Sequence, residues 1–243
     1  MTALDVDHIP AADDGATIQE RVYDHLRGLL MRGEIQPGQK ITLRGAAEAL
    51  DVSMMPVRGA LQRLEAEGAL IARGGKRVLG VPDLDPDSYR EIRDIRVVLE
   101  GLAAERAVDH IRDAEIATTR RHCAAMQSAA DAGDVGAYVL ANWAFHRSVY
   151  KACRMPTLTT LIEAMWLRVG PYVPRMMPDR ASLVDSMATH WAIVDALARR
   201  DGKAARRGIV DDISASAVAL IHALETTPTA VTGPGKRKRG KQG

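Results

Sequence analysis

Cysteines, aromatic rings and long apolar runs are all scarce in this sequence. It has two cysteines and one phenylalanine among 243 residues. Cys123 and Cys153 lie in helix-like segments without metal-type spacing, so they read as reduced thiols. Aromatic residues make up only 4% of the chain, and alanine and leucine abound, which points to a helical, aliphatic core. No stretch approaches the roughly 18–20 consecutive apolar residues of a membrane span. The first residues, with Asp5, Asp7, Asp13 and Asp14, lack the basic-then-apolar layout of a signal peptide. A cytoplasmic location with no membrane partner is therefore expected.

Charge is small in sum and uneven in place. The net value is +2. Residues 17–82 carry ten Lys/Arg against seven Asp/Glu, and residues 83–226 carry eighteen against twenty. The last seventeen residues hold five Lys/Arg and no acid. A basic front and a basic tail suit a polyanion partner for the front.

Four regions follow from periodicity and punctuation. Residues 1–16 read as a disordered acidic arm. Residues 17–82 read as three short helices and a hairpin. The first helix carries Val22, Leu26, Leu29 and Leu30 on one face and ends at Gly33. A second spans roughly 43–50. A third follows Ser53, placed as its N-cap, and stops at Gly68. Two apolar runs joined by Gly74–Gly75 then give a two-residue hairpin signal. Together these describe a winged helix-turn-helix. Asp85–Pro86 fits an N-cap and first-turn proline. From there to residue 225 the period is helical, with about six helices near 86–110, 113–132, 134–153, 156–169, 180–200 and 202–224. The fold class is mainly α, a winged helix-turn-helix followed by an all-α antiparallel bundle. Residues 226–243 read as a disordered basic tail, whose KRKRGK run suits either solubility or non-specific phosphate contact.

The third helix carries the chemistry of DNA reading. Its N-terminal N–H groups and the Ser53 hydroxyl are placed to hold a phosphate. Arg58, one turn in, is placed to bridge guanine O6 and N7. Val57, Ala60, Leu61 and Leu64 form the buried stripe behind it. The bland alternative is an amphipathic helix with solvated arginines.

The segment Tyr23–Ile71 resembles the DNA-binding domain of the GntR family of bacterial regulators. The elements "GEIQPG", "LDVS", "PVRGAL" and "RLEAEGAL" occur in order at the expected intervals. The resemblance implies DNA contacts from Arg44, Ser53 and Arg58 and a wing tip at Gly75–Lys76; Thr42, Met54, Pro56 and Arg63 complete the expected interface. Three departures stand out. Met54 occupies a place where the family often has an arginine, and Gly59 replaces an acid after Arg58. Leu43 and Gly45 replace polar residues. A changed operator preference is expected.

Polar residues on apolar stripes mark the helical region. Asn142 and His146 share a stripe with Val135, Val139, Val149 and Cys153. His190 lies among Leu183, Met187, Val194 and Leu197, and Asp212 among Ala205, Ile209, Ser216 and Leu220. A helical-bundle core is where such side chains build metal sites, and this donor set suits Zn, Ni or Mn. Satisfied core hydrogen bonds are the blander reading. Arg96 sits between Ile92, Leu99 and Ala103 and needs an anion, either an internal acid such as Glu100 or Asp212, or a ligand carboxylate.

The region from Leu84 to Leu220 resembles the FCD domain of the FadR subfamily, through "DIRVVLEGLAAERA", "NWAFHRSVY", "THWAIVDAL" and "RRDGKAARRGIVDDI". The resemblance implies a divalent metal held by one Asp and three His. Here Asn142 replaces the usual acid and Asp212 takes the place of the last histidine. The expected metal set is Asn142, His146, His190 and Asp212, and the expected effector contacts are Arg96, Asn142, His146 and His190. The expected function is a DNA-binding regulator, a repressor controlled by a small organic acid, acting as a homodimer on a palindromic double-stranded operator. Its rivals are a constitutive or structural DNA binder whose helical part only dimerises, and a metal-dependent enzyme.

Overall fold

The computed structural model describes residues 15–74, 78–176 and 179–226. The acidic arm before residue 15, the wing tip at Gly75–Lys76 and the basic tail after residue 226 lie outside the described residues.

Helix α1 (Ile18–Met31) opens on a capping box: the Thr17 hydroxyl accepts from the Glu20 amide at 3.2 Å, and the Glu20 carboxylate accepts from the Thr17 amide at 2.8 Å. Strand β1 (Ile41–Thr42) leads into α2 (Leu43–Ala49), and α3 (Met54–Ala66) follows after a tight turn. Val57, Ala60, Leu61 and Leu64 of α3 are buried. The Tyr23 hydroxyl of α1 donates to Glu67 at 2.8 Å, while the Arg63 guanidinium lies 3.7 Å over the Tyr23 ring. That polar clasp fixes α1 against the C-terminal end of α3.

Strands β2 (Ile71–Ala72) and β3 (Val78–Gly80) complete a three-stranded antiparallel sheet in the order β1-β3-β2. Two expectations need correction here. A two-residue loop at Gly74–Gly75 does not fit the register, because the Arg73 amide donates to the Val78 carbonyl at 2.8 Å and so faces Val78 across the strands. Strand β1 was not expected at all, since two residues are too short to show a period.

The helical part comprises α4 (Pro86–Ala107), α5 (Asp113–Ala132), α6 (Val135–Ala152), α7 (Pro156–Val169), α8 (Val173–Met176), α9 (Arg180–Ala198) and α10 (Gly202–Thr226). The Asp85 carboxylate caps α4 by accepting from the Asp87 and Ser88 amides, with Pro86 in the first turn. Helix α4 stops at Ala107 rather than near residue 110. Helix α10 packs against α4 and α9, and α5 packs against α6 and α9. Between α7 and α8, Gly170–Tyr172 forms a single 3-10 turn.

The two parts of the chain touch closely. The Arg27 guanidinium of α1 meets the Glu163 carboxylate of α7 at 2.6 Å. A Cβ on Gly170 would stand 2.6 Å from the Leu30 carbonyl oxygen, so only glycine permits this approach of two backbones. Tyr172 donates to the Pro82 carbonyl at 2.7 Å, and Arg73 pairs with Asp83 at 2.6 Å, so the linker is held from both sides.

Candidate DNA interface and buried His–Asp centre

The outer face of α3 carries Met54, Arg58, Gln62 and Glu65, which line an open groove with Thr42, Leu43 and Arg44. Ser53 precedes α3 with extended backbone (φ −67, ψ 157), yet its side chain makes no capping hydrogen bond. The expected hydroxyl cap is thus absent, and that hydroxyl stays exposed beside the first N–H groups of the helix. Arg58 is exposed and carries no ion pair or hydrogen bond among the described residues. The other expected contacts are more engaged. The Thr42 hydroxyl caps α2 by accepting from Gly45 at 3.0 Å, and Arg44 pairs with Glu48 at 2.7 Å on a highly exposed edge. Arg63 is held by Glu67 at 3.1 Å and by Tyr23, on a different side of α3 from Arg58. Pro56, in the first turn, lacks an N–H that would have no partner inside the helix. At Gly59 the Gln19 amide of α1 fills the space a side chain would occupy.

Within the bundle, α6, α9 and α10 bring His146, His190 and Asp212 together, with one ligand-type atom from each lying within 4.8 Å of the others. Asp212 Oδ2 is 3.3 Å from His146 Nε2, and Asp212 Oδ1 is 3.4 Å from His190 Nε2. Asn142 is buried one turn before His146 on α6.

The hydrogen bonds behind the imidazoles decide which nitrogens carry protons. His190 Nδ1 lies 2.9 Å from the Ser186 carbonyl, which can only accept, so Nδ1 holds the proton and Nε2 presents a lone pair. Tyr150 donates its single hydroxyl proton to Glu100 at 2.5 Å. Burial and the adjacent Glu100 carboxylate raise the Tyr150 phenol well above its ordinary range, so it keeps that proton. The Tyr150 oxygen therefore accepts from His146 Nδ1 at 3.0 Å, and His146 Nε2 also presents a lone pair.

Two lone pairs and a carboxylate thus converge in a buried space. That arrangement repels itself unless a cation stands among them, either a metal ion or a proton on one imidazole. Burial lowers the His190 pKa, which works against the proton there. Burial alone would raise the Asp212 carboxyl, and it comes down to about 2 only with positive charge on the His190 and His146 imidazoles beside it, so this site needs a cation. Two imidazole nitrogens and a carboxylate are a usual donor set for a divalent transition metal, and here one such atom from each residue lies within 4.8 Å of the others. The donor set therefore fits a divalent cation. The His190 Nε2 atom is buried with no hydrogen-bond partner of good geometry, as expected of a free ligand atom.

Arg96, only 4% exposed, is paired with the fully buried Glu100, Nε to Oε1 at 2.6 Å. Of the two internal acids considered, Glu100 is its partner. Trp166 of α7 donates to the other oxygen of Glu100 at 3.2 Å, and the Arg96 guanidinium lies 4.9 Å from the Trp166 ring. The Trp166 ring is also 5.6 Å from the His146 ring. Tyr150, Trp166 and Ser186 did not emerge from the sequence as site residues. Tyr150 and Ser186 each stand four positions from a histidine, and that spacing was a usable signal. Trp166 offered none.

Comparison with known proteins gives the family. Residues 91–215 match the FCD domain, and residues 18–79 match the family of bacterial regulatory proteins named gntR. The chain is a GntR-family transcriptional regulator with an FCD domain. It is 28% identical over 193 residues to the HTH-type transcriptional regulator McbR of Escherichia coli, covering 79% of this chain and 87% of that protein. It is 29% identical over 218 residues to a Paenarthrobacter nicotinovorans protein named "Probable D-xylose utilization operon transcriptional repressor", covering 88% and 94%. The solved structure of E. coli McbR/YncC superposes with a TM-score of 0.80 at 25% identity, covering 86% of this chain and 99% of that one. A GntR regulator from Rhodococcus sp. RHA1 shares the fold, with a TM-score of 0.69 at 19% identity, covering 84% and 98%. These relatives are named as regulators and not as enzymes. No helix among the described residues is long and apolar enough to cross a membrane.

Proposed function

We propose that this regulator is a repressor that binds a palindromic operator as a cytoplasmic homodimer and releases it when a small organic acid binds in the helical domain. One observation carries the ligand-responsive part: the His146 and His190 lone pairs and the Asp212 carboxylate converge on a point that calls for a cation. A domain that only dimerised would have no use for that centre. His146, His190 and Asp212 would hold the divalent ion, with Asn142 adjacent. When bound, the ion supplies positive charge that polarises and anchors an oxygen ligand. Arg96 and Asn142 are the remaining effector contacts. Because Glu100 already occupies Arg96, an incoming carboxylate would compete with or share that guanidinium.

On the DNA side, Ser53 and the first turn of α3 hold a phosphate, Arg58 reads a guanine, and Thr42, Arg44, Pro56 and Arg63 shape and flank the surface. Gly75 and Lys76, outside the described residues, are the further expected DNA contacts. Signal passes along α7, whose Trp166 touches the buried centre while Glu163, one turn earlier, holds Arg27 of α1. Regulation follows if the effector favours one arrangement of that contact over another.

The test starts from an operator selected by the full-length protein from random duplex DNA. Gel-shift titrations at fixed salt then compare chelator-treated protein with protein loaded with Zn, Ni or Mn, across a panel of small carboxylic acids. Operator release by an acid supports the reading. Selective binding that no metal or acid alters would favour the constitutive binder.

A further inference from the structure

We infer that Met54 reads the 5-methyl group of a thymine, making this recognition helix specific for a thymine close to the guanine contacted by Arg58. This rests on α3 being the helix that enters the major groove. Met54 is 53% exposed and Met55 72%, two large apolar side chains on the first turn of a helix that must face a polyanion. An apolar side chain there has no electrostatic use. The one apolar feature that the major groove offers is the thymine methyl. A thioether on three rotatable bonds adapts well to such a contact.

The geometry separates the two methionines. Met54 lines the groove together with Arg44, Arg58 and Gln62, while Met55 does not. Met54 and Arg58 are four residues apart, so they stack on one face about 6 Å apart along the helix axis. At about 3.4 Å per base pair, that puts the thymine within about two base pairs of the guanine. Ser53, just before Met54, has an uncommitted hydroxyl to fix the register on a phosphate. The helix thus presents phosphate, methyl and guanine contacts in sequence order.

The test replaces each thymine of the selected operator, one at a time, by deoxyuridine, which removes the methyl and keeps the pairing. Burying one methyl-sized group is worth about fourfold in affinity. Wild-type protein is expected to lose about that factor per half-site at one thymine, within about two base pairs of the most costly guanine. Met54→Ala is expected to bind the thymine and uracil operators equally, and Met55→Ala to keep the wild-type discrimination. Indifference of the wild type to every replacement overturns the inference. So does discrimination that persists in Met54→Ala or disappears in Met55→Ala. Selection that yields no preferred sequence would overturn instead the reading of α3 as a recognition helix.

Discussion

The two halves of this chain keep the polar groups proposed for function in opposite places. In the DNA-binding half, Arg58 and the Ser53 hydroxyl face solvent uncommitted, while the polar groups that hold the fold, Tyr23, Arg63 and Glu67, form a separate clasp. In the helical half, the proposed site and the fold share one buried network. Arg96, Glu100, Tyr150, Trp166 and His146 are linked through hydrogen bonds and tilted ring contacts, and that network ends at Asp212 and His190. The difference teaches where mutations should separate stability from activity. Surface readers are free to vary with operator sequence at little cost to the fold. Buried groups are constrained by each other, so a change in ligand chemistry has to preserve the surrounding hydrogen bonds.

The sharpest way to break that comparison is Glu100→Gln. It leaves the Arg96 cation buried without its counter-charge, and such a loss costs about 3–5 kcal/mol. Urea denaturation would show it; an unchanged midpoint would mean that the network does not support the fold. Arg58→Ala is the counterpart on the surface. Operator binding should weaken by about 1–3 kcal/mol, with unfolding stability within about 0.5 kcal/mol of wild type. Equal operator affinity in a gel-shift titration would remove Arg58 from the interface.

Acid should act on the helical half first. His190 is buried and its pKa is depressed below the ordinary value, so the folded state resists protonation that the unfolded chain accepts. The corresponding stability is complete above about pH 6.5 and is lost as pH falls below it. Asp212, brought down to about 2, adds stability that is present above its ordinary pKa near about 3.9 and is lost only as pH falls toward 2. Thermal midpoints of chelator-treated protein against pH should therefore decline from about pH 6.5 downward, with a second decline below about pH 4. A flat profile between pH 7 and 5 would contradict the buried neutral imidazole. The smallest effect belongs to Arg27→Ala: its pair with Glu163 is partly exposed, so about 0.2–1 kcal/mol of stability is expected to be lost. Its larger signature would be weakened communication between effector and operator.

Much of this organisation was legible before the fold was known, and the physical reasons differ by feature. Asp85–Pro86 announced a helix start, because capping and first-turn chemistry are local. His146, His190 and Asp212 stood out because a polar side chain on an apolar stripe is costly without a partner. What failed was non-local. Strand β1 exists only because Val78 and Leu79 pair with it. The register after β2 is set by the pairing of Arg73 with Val78, which Gly74–Gly75 does not reveal. Ser53 occupies a cap position without making the cap. Trp166 joins the site only through the way α7 packs on α4, and no spacing within α7 could have indicated it.

His146, His190 and Asp212 are the proposed cation site. Metal analysis of full-length protein purified without chelators, followed by titration calorimetry of the stripped protein with Zn, tests it most directly. About one divalent ion per chain is predicted. Asp212→Ala should lower the affinity by more than the roughly 10–100-fold that losing a group behind a ligand costs. No bound metal and no heat of binding in the wild type, or an Asp212→Ala protein that binds Zn as well as the wild type, would contradict the account.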